Sequence, residues 1–308
     1  MPWLELAVEA DPEAVEVVSE ILSRVAPGGV SVESAFELVE DGLGARLDPA
    51  RPAMVRAYLP LSGVGADGSG ARAIVDEALG HLRAFELRPI GELRTRRVDE
   101  ADWAVAWKAH FPVLRIGRRL VVKPTWRRHR AAPEDVVLVL DPGMAFGTGL
   151  HPTTRLSLLG LEALADRGLL REARVLDLGS GSGILSIAAA RLGAASCAAL
   201  DIDPIAVEAT EANARRNGLG RQIRPRLGSL PSREAPFDVV VANLVADLLV
   251  RLAGELAAEV RHGGAWLASG VFRDREPDVA SALAASGLVA TDRWADGDWI
   301  ALAGRRER

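Results

Sequence analysis

The chain has 308 residues, 49% of them hydrophobic and 26% charged, with a formal net charge of −5, an ordinary globular balance that excludes collagen-like and disordered readings and allows two domains or one elaborated domain. The single cysteine, Cys197, excludes an intrachain disulfide and a multi-cysteine metal site, and the only two lysines, Lys108 and Lys123, follow no glycine-rich loop, which excludes a P-loop nucleotide hydrolase. No apolar run approaches the roughly 18–20 residues of a membrane span, and a start carrying Glu5 and Glu9 is foreign to a signal peptide, so a cytosolic, cytoplasmic chain with no membrane partner is expected.

The first 90 residues alternate between strand and helix signals. Trp3–Val8 reads as a strand. Asp11–Val25 carries apolar residues at helical spacing, with Asp11 and Pro12 as N-cap and first helical residue. Val30–Glu40 and Ala53–Leu61 are strand candidates, Ala71–Leu82 a helix and Ala84–Leu87 a strand. The order βαββαβ suits a small ferredoxin-like α+β sandwich, a fold that by itself names no function. Residues 1–87 carry 6 Lys and Arg against 15 Asp and Glu, net −9, whereas 88–130 carry 12 against 4, net +8. Such asymmetry points to an electrostatically chosen partner, although acidic helices are also what solvated faces look like.

Residues 91–130 read as a basic, aromatic connecting arm with Trp103, Trp107, Phe111 and Trp126, part helix at Asp99–His110 and part strand at Leu120–Lys123. Its aromatic residues suit anchoring against a domain better than stacking on bases. From 131 to 308 the β/α alternation is strong: strand Arg174–Leu178, helix Gly183–Leu192, strand Ser196–Ile202, helix Pro204–Asn217, strands Ile223–Leu227 and Phe237–Val241. Helix Ala246–Val260, strand Ala265–Ser269, helix Glu276–Ala285 and strands Leu288–Trp294 and Trp299–Leu302 follow, the last two close enough for a hairpin. Runs such as Val239-Val240-Val241 are what a parallel sheet buried on both faces requires. The expected architecture is a doubly wound, Rossmann-like α/β sheet.

Three motifs carry chemistry. Val175-Leu176-Asp177-Leu178-Gly179-Ser180-Gly181-Ser182-Gly183 is a strand running into a glycine turn that opens a helix, a place where a ligand can approach the backbone. A dinucleotide fingerprint would put its third glycine at 184, where Ile184 stands. Asp201, at the end of the next strand, can accept from both hydroxyls of a ribose, given Leu200 and Ile202 buried; a strand-end cap is the bland alternative. Asn243, in Val241-Ala242-Asn243-Leu244, would face the reacting end of a cofactor and could accept a hydrogen bond from an incoming amine, or merely cap the helix from Ala246. A fourth segment, Asp141–Thr154, is glycine-rich and leads into a helix. Phe146 could pack there on a ligand, Thr153 or Thr154 could cap the helix, and His151 is the nearest candidate for a base.

The glycine spacing resembles that of class I S-adenosylmethionine-dependent methyltransferases. Phe146-Gly147-Thr148-Gly149 together with Asp201-Ile202-Asp203-Pro204, Ala242-Asn243-Leu244, Trp107-Lys108 and Met1-Pro2-Trp3 resembles, over nearly the whole chain, the family that methylates protein eleven of the large ribosomal subunit. That resemblance implies S-adenosylmethionine as cofactor, contacted by Thr154, Gly179, Gly181, Asp201 and Asn243 with Phe146 near its methionyl end, and lysine side chains and the α-amine as acceptors. Asn243 takes the catalytic role. It implies residues 1–90 as the substrate-recognition domain and a monomer acting on free protein eleven before assembly, without DNA. Leu150 departs from the usual polar residue there. Asn-Leu-Val-Ala in place of Asn-Pro-Pro-Tyr argues against planar amide acceptors. The competing readings are a lysine methyltransferase with a non-ribosomal target, a ribosomal RNA methyltransferase favoured by the basic arm, a nicotinamide-dependent dehydrogenase and a non-catalytic binding module.

Overall fold

In the N-terminal region the alternating apolar residues of one strand decide the layering. The computed structural model describes residues 2–11, 14–23, 25–26, 30–33, 36–38, 45–47, 52–61, 68–84, 89–99, 112–141, 149, 151–234 and 236–307. These fall into two compact units, Met1–Phe111 and Pro112–Arg308. In the first, β1 (Pro2–Ala10) pairs antiparallel with both β5 (Ala53–Pro60) and β6 (Arg94–Asp99), and β2 (Val30–Glu33) pairs with β5, giving the order β2-β5-β1-β6. Leu4, Leu6, Val8 and Ala10 share a core with Val18 and Leu22 of α1 (Val15–Ser23) and Val75 and Leu79 of α2 (Ser69–Ala84). Glu5, on the opposite pleat, accepts from Arg56 Nη1 and Tyr58 Oη, both at 3.1 Å. This is the expected βαββαβ sandwich.

Its fourth strand is misplaced by the sequence reading. Ala84 ends α2, residues 85–87 lie outside the described residues, and Arg94–Asp99 supplies the edge strand. Arg94-Thr95-Arg96-Arg97 has no apolar alternation, because an edge strand is held mainly by its main-chain ladder, here with Arg94–Glu9 and Arg96–Glu5 ion pairs at 3.7 and 3.5 Å. Helix α1 begins at Val15, Asp11 instead closing a turn with its carbonyl on Ala14 N (2.8 Å). The Val30–Glu40 candidate divides: Val30–Glu33 joins the sheet, while β3 (Phe36–Leu38) pairs with β4 (Ala45–Leu47). The helix expected at Asp99–His110 lies outside the described residues apart from Asp99, which ends β6.

The second unit starts with a three-stranded sheet of β7 (Leu114–Ile116), β8 (Leu120–Pro124) and β9 (Val136–Leu140), followed by α3 (Pro152–Asp166). Then come β10 (Arg174–Leu178), α4 (Ile184–Arg191), β11 (Ser196–Asp201), α5 (Pro204–Arg216), β12 (Ile223–Leu227), β13 (Phe237–Asn243), α6 (Ala246–Glu259), β14 (Val260–Phe272), α7 (Glu276–Ala285), β15 (Leu288–Asp296) and β16 (Trp299–Arg306). Among the described residues the large sheet has the order β12-β11-β10-β13-β14-β16-β15. Neighbours from β12 to β14 are parallel; β16 is antiparallel to both β14 and β15.

Both faces of this sheet are covered, which is why its strands read as continuous apolar runs. Val175, Val239, Val241 and Leu267 join a core with Leu156 and Leu161 of α3 and Ile187 of α4. Leu176, Leu178, Val240 and Trp266 join another with Leu249 and Leu256 of α6 and Leu283 of α7. The chain order reverses between β10 and β13, and a crevice beyond the carboxyl ends of these strands is where such a sheet binds ligands.

Candidate functional site

The turn from β10 to α4 takes positive φ at Gly179 (+74°), Gly181 (+54°) and Gly183 (+78°), a region closed to most side chains. Close contacts add a second constraint. A Cβ at Gly179 would lie 2.6 Å from Leu244 Cδ2, and one at Gly183 3.1 Å from Thr210 Cα. The Leu200 carbonyl accepts the N–H of Gly179 (2.8 Å) and of Ser180 (3.0 Å). Thr210 Oγ1 donates to the Gly181 carbonyl at 3.0 Å, leaving the Ser180 hydroxyl, 3.1 Å away, to donate to Thr210. Below the turn, buried Asp177 accepts from Ser186 N (3.0 Å) and Oγ (2.7 Å) on α4. Burial raises the Asp177 carboxyl to about 6, with the nearby Asp201 charge pushing the same way and the Ser186 bonds opposing.

Asp201 ends β11 half-buried. Its Oδ2 accepts Gly181 N–H at 2.9 Å and its Oδ1 accepts Asp203 N–H at 3.0 Å, so each oxygen keeps capacity for a further donor. The carboxylate therefore also braces the glycine turn. The sequence argument for its direction required Ile202 to be buried, and it is not: the strand stops at Asp201 and Ile202 is 78% exposed. Asp201 is aimed by the two main-chain donors instead.

Asn243 is the last residue of β13, opposite Ser269 of β14. It caps no helix. The N-cap of α6 is Val245, and the Asn243 amide makes no hydrogen bond among the described residues. Leu244, next in the chain, donates its N–H to the Ser269 carbonyl at 3.0 Å.

At the start of α3 the cap is His151, not either threonine: Pro152 takes the first turn, and His151 Nδ1 accepts the Thr153 N–H at 3.3 Å. His151 Nδ1 also lies 2.8 Å from Thr153 Oγ1, so two contacts of the ring at the start of α3 are made through Nδ1. Burial lowers its pKa, the Arg155 charge adds to this, and Asp296 opposes it. The ring meets Trp299 edge-on at 5.0 Å. Thr153 is buried, and its carbonyl accepts from Ser157 Oγ (2.8 Å) and Ser269 Oγ (3.0 Å). Thr154 is fully buried, and its Oγ1 has no hydrogen-bond partner among the described residues. A hydroxyl shielded from water and unpaired is costly, and a bound ligand is one remedy.

Phe146 lies outside the described residues, as do Thr148 and the rest of 142–148. The strand leading to them is nevertheless tied to the glycine turn by Asn213 of α5, which the sequence reading missed. Its Nδ2 donates to the Ser182 carbonyl (2.9 Å) and its Oδ1 accepts Asp141 N–H (3.0 Å). Asn217 clasps Val139 in the same way, through both N–H and C=O at 3.0 and 2.6 Å. Neither asparagine has a local sequence signal, since the partners Val139 and Asp141 lie more than seventy residues away.

These residues suit a nucleoside cofactor. Asp201 offers ionised acceptors to neutral ribose hydroxyls, the glycine turn admits a ligand against the backbone, and Thr154 holds an unpaired hydroxyl. Among the described residues, no group of three His, Cys, Asp or Glu could hold a metal ion, and no helix is long and apolar enough to cross a membrane.

Comparison with known proteins gives a consistent answer. The family model described as ribosomal protein L11 methyltransferase matches residues 2–307. Proteins of that name from Chloroflexus aurantiacus and Herpetosiphon aurantiacus are 45% and 41% identical, each alignment covering 99% of this chain and 98% or 99% of the relative. A crystal structure of a ribosomal protein L11 methylase from Lactobacillus delbrueckii subsp. bulgaricus is 35% identical, covering 64% of this chain and 99% of the other with a TM-score of 0.59.

Proposed function

The chain belongs to the ribosomal protein L11 methyltransferase family, and on that premise we propose that it transfers methyl groups from S-adenosylmethionine to lysine side chains and the α-amine of ribosomal protein L11. The observation that carries the site assignment is a chain of contacts linking Gly179, Leu244, Ser269 and Thr153, along which two polar side chains, Thr154 and Asn243, lack partners among the described residues. Asp201 would hold the ribose, Gly179 and Gly181 the methionyl end together with Phe146, and Thr154 and Asn243 the remaining polar groups. The first unit, Met1–Phe111, whose sheet extends past the expected boundary at 90 to include β6, serves as the substrate-recognition domain, and the second, Pro112–Arg308, as the methyltransferase domain. The net charge of −9 over residues 1–87 suits a basic ribosomal protein. The enzyme acts in the cytoplasm as a monomer, on L11 free before assembly.

Bound S-adenosylmethionine supplies an electrophilic methyl group on a positively charged sulfur. The attacking amine must be neutral, and for a lysine of pKa about 10.4 deprotonation near pH 7 costs about 4–5 kcal/mol. The chain's own contribution is mainly placement. The Asn243 carbonyl oxygen accepts an N–H of the amine and aims its lone pair, while the glycine turn, already hydrogen-bonded, holds the donor side without reorganising. His151 caps α3, and the amine's proton leaves to solvent. An acceptor site without Pro-Pro-Tyr leaves room for an amine that already bears methyl groups.

The test is methyl transfer from labelled S-adenosylmethionine to free L11, intact ribosomes and protein-free ribosomal RNA, offered separately. Label on free L11, lost in Asp201→Ala, is expected. Label on RNA alone, or on a different protein of a whole extract, would overturn the assignment of L11 as acceptor.

A further inference from the structure

Resting on that reading of the site, we infer that Ser269 is a positioning residue that locks the acceptor-side strand end to the helix carrying Thr154. Its backbone and side chain work in two directions. The Ser269 carbonyl accepts Leu244 N–H at 3.0 Å, which fixes the chain just beyond Asn243, and Ser269 is also the register partner of Asn243. Its hydroxyl donates at 3.0 Å to the carbonyl of Thr153, the residue before Thr154. Ser269 is completely buried, so neither bond is shared with solvent.

The neighbourhood removes slack from the same joint. Gly270 has φ +87°, and a Cβ there would lie 2.2 Å from the Leu244 carbonyl oxygen, so the Asn243–Leu244 turn sits directly on the Ser269–Gly270 backbone. The ladder between β14 and β16 shifts register between Ser269 and Val271, an irregularity that re-aims a strand at this point. Leu244 in turn covers Gly179, as the 2.6 Å approach to its missing Cβ requires. Farther along, Gly160 of α3 meets Leu267 of β14 so closely that a Cβ would lie 2.6 Å from Leu267 Cδ1. Helix α3 is thus seated on β14 by packing, and Ser269 supplies the polar contact that sets its first turn against the acceptor side. A serine suits this place because it is short and a donor; alanine would keep the shape and lose the tie.

A built-in control separates positioning from mere satisfaction of a carbonyl. The same Thr153 carbonyl accepts from Ser157 Oγ at 2.8 Å, a bond within α3 that touches no strand. Either serine can be removed and the carbonyl still has a donor. The experiment compares Ser269→Ala with Ser157→Ala in full-length protein, reading S-adenosylhomocysteine affinity by calorimetry, kcat and KM for L11 methylation, and thermal midpoint. Ser269→Ala is expected to lower kcat five- to twenty-fold and weaken S-adenosylhomocysteine binding three- to ten-fold, with Ser157→Ala within two-fold of wild type on both. Equal losses in the two variants, or a Ser269→Ala protein within two-fold of wild type, would overturn the inference. Should Ser269→Ala fail to fold, Ser269→Cys, which replaces the hydroxyl by a much weaker donor, is compared with Ser157→Cys; a larger loss of kcat at 269 is expected, and equal losses would overturn the inference. Wild-type protein that neither binds S-adenosylhomocysteine nor methylates L11 would instead overturn the functional reading on which the inference rests.

Discussion

The two walls of the site differ in how their polar groups are satisfied. On the glycine-turn wall the groups that shape the turn have partners within the protein: Asp201 holds Gly181 and Asp203, Thr210 holds Gly181, Asn213 holds Ser182, and Leu200 holds Gly179 and Ser180, while beneath them only Asp177 Oδ1 is buried without one. On the wall formed by β13 and the start of α3, Thr154 is buried with an orphaned hydroxyl and Asn243 makes no hydrogen bond among the described residues. The first wall is preorganised and bears the cost of its glycines and positive φ angles in advance. The second is incomplete until ligands arrive, and groups of that kind are sensitive to what is bound rather than to folding.

Breaking the first wall should have the largest effect. Asp201→Ala removes an ionised acceptor whose bonds are worth about 1.5–3 kcal/mol each, so S-adenosylhomocysteine affinity should fall roughly 10²–10⁴-fold by calorimetry. The thermal midpoint of the ligand-free protein should fall as well, because two main-chain N–H groups lose their acceptor. Loss of affinity with an unchanged midpoint would show that the carboxylate does not brace the turn.

Asn243→Ala probes the opposite wall and should lower kcat on L11 about 100-fold, a typical penalty for losing an aligning group, while the ligand-free midpoint stays near wild type. A midpoint drop as large as that of Asp201→Ala would erase the contrast. Thr154→Val sharpens it further. Replacing an unsatisfied buried hydroxyl by a methyl group of the same shape should leave ligand-free stability unchanged or raise it by up to about 1 kcal/mol in denaturant titrations. S-adenosylhomocysteine affinity should fall about five- to ten-fold.

The smallest effect concerns pH. The folded-state pKa of His151 lies below the value of about 6.5 for an unfolded chain, chiefly through burial. Between those two values the unfolded chain binds the additional proton, so the stability His151 contributes is present above about pH 6.5 and is lost as pH falls through the folded value. Protonation would also put a donor on Nδ1 against the Thr153 N–H, leaving Thr153 Oγ1 at 2.8 Å as its acceptor. Thermal melts at decreasing pH should show wild type losing more stability than His151→Asn, whose amide oxygen can cap without titrating.

How much of this was legible in the sequence follows the range of the interactions involved. The glycine turn and Asp201 are local patterns, a strand end followed by a constrained backbone; the turn falls at 179–183 as expected, and β11 ends at Asp201, one residue short of the expected Ile202. The cap of α3 was legible but misread: Pro152 marks the first helical turn, so residue 151 had to be the cap, and a histidine ring can fill a role more often given to threonine. Strand Arg94–Asp99 escaped because an edge strand held by ladder and ion pairs has no apolar period to read. Asn213, Asn217 and Ser269 escaped for a different reason. Each joins segments far apart in the chain, Ser269 and Thr153 being 116 residues apart, and nothing in the flanking residues marks the partner.

The most direct test of the contrast between the walls is a crystal structure with S-adenosylhomocysteine bound. A ribose on both Asp201 oxygens, a ligand group within hydrogen-bond distance of Thr154 Oγ1, and a glycine turn keeping its Asp201, Thr210 and Leu200 hydrogen bonds are the predicted result. A ligand that leaves Thr154 Oγ1 unpaired, or that binds only by breaking the Gly181–Asp201 bond, would contradict it.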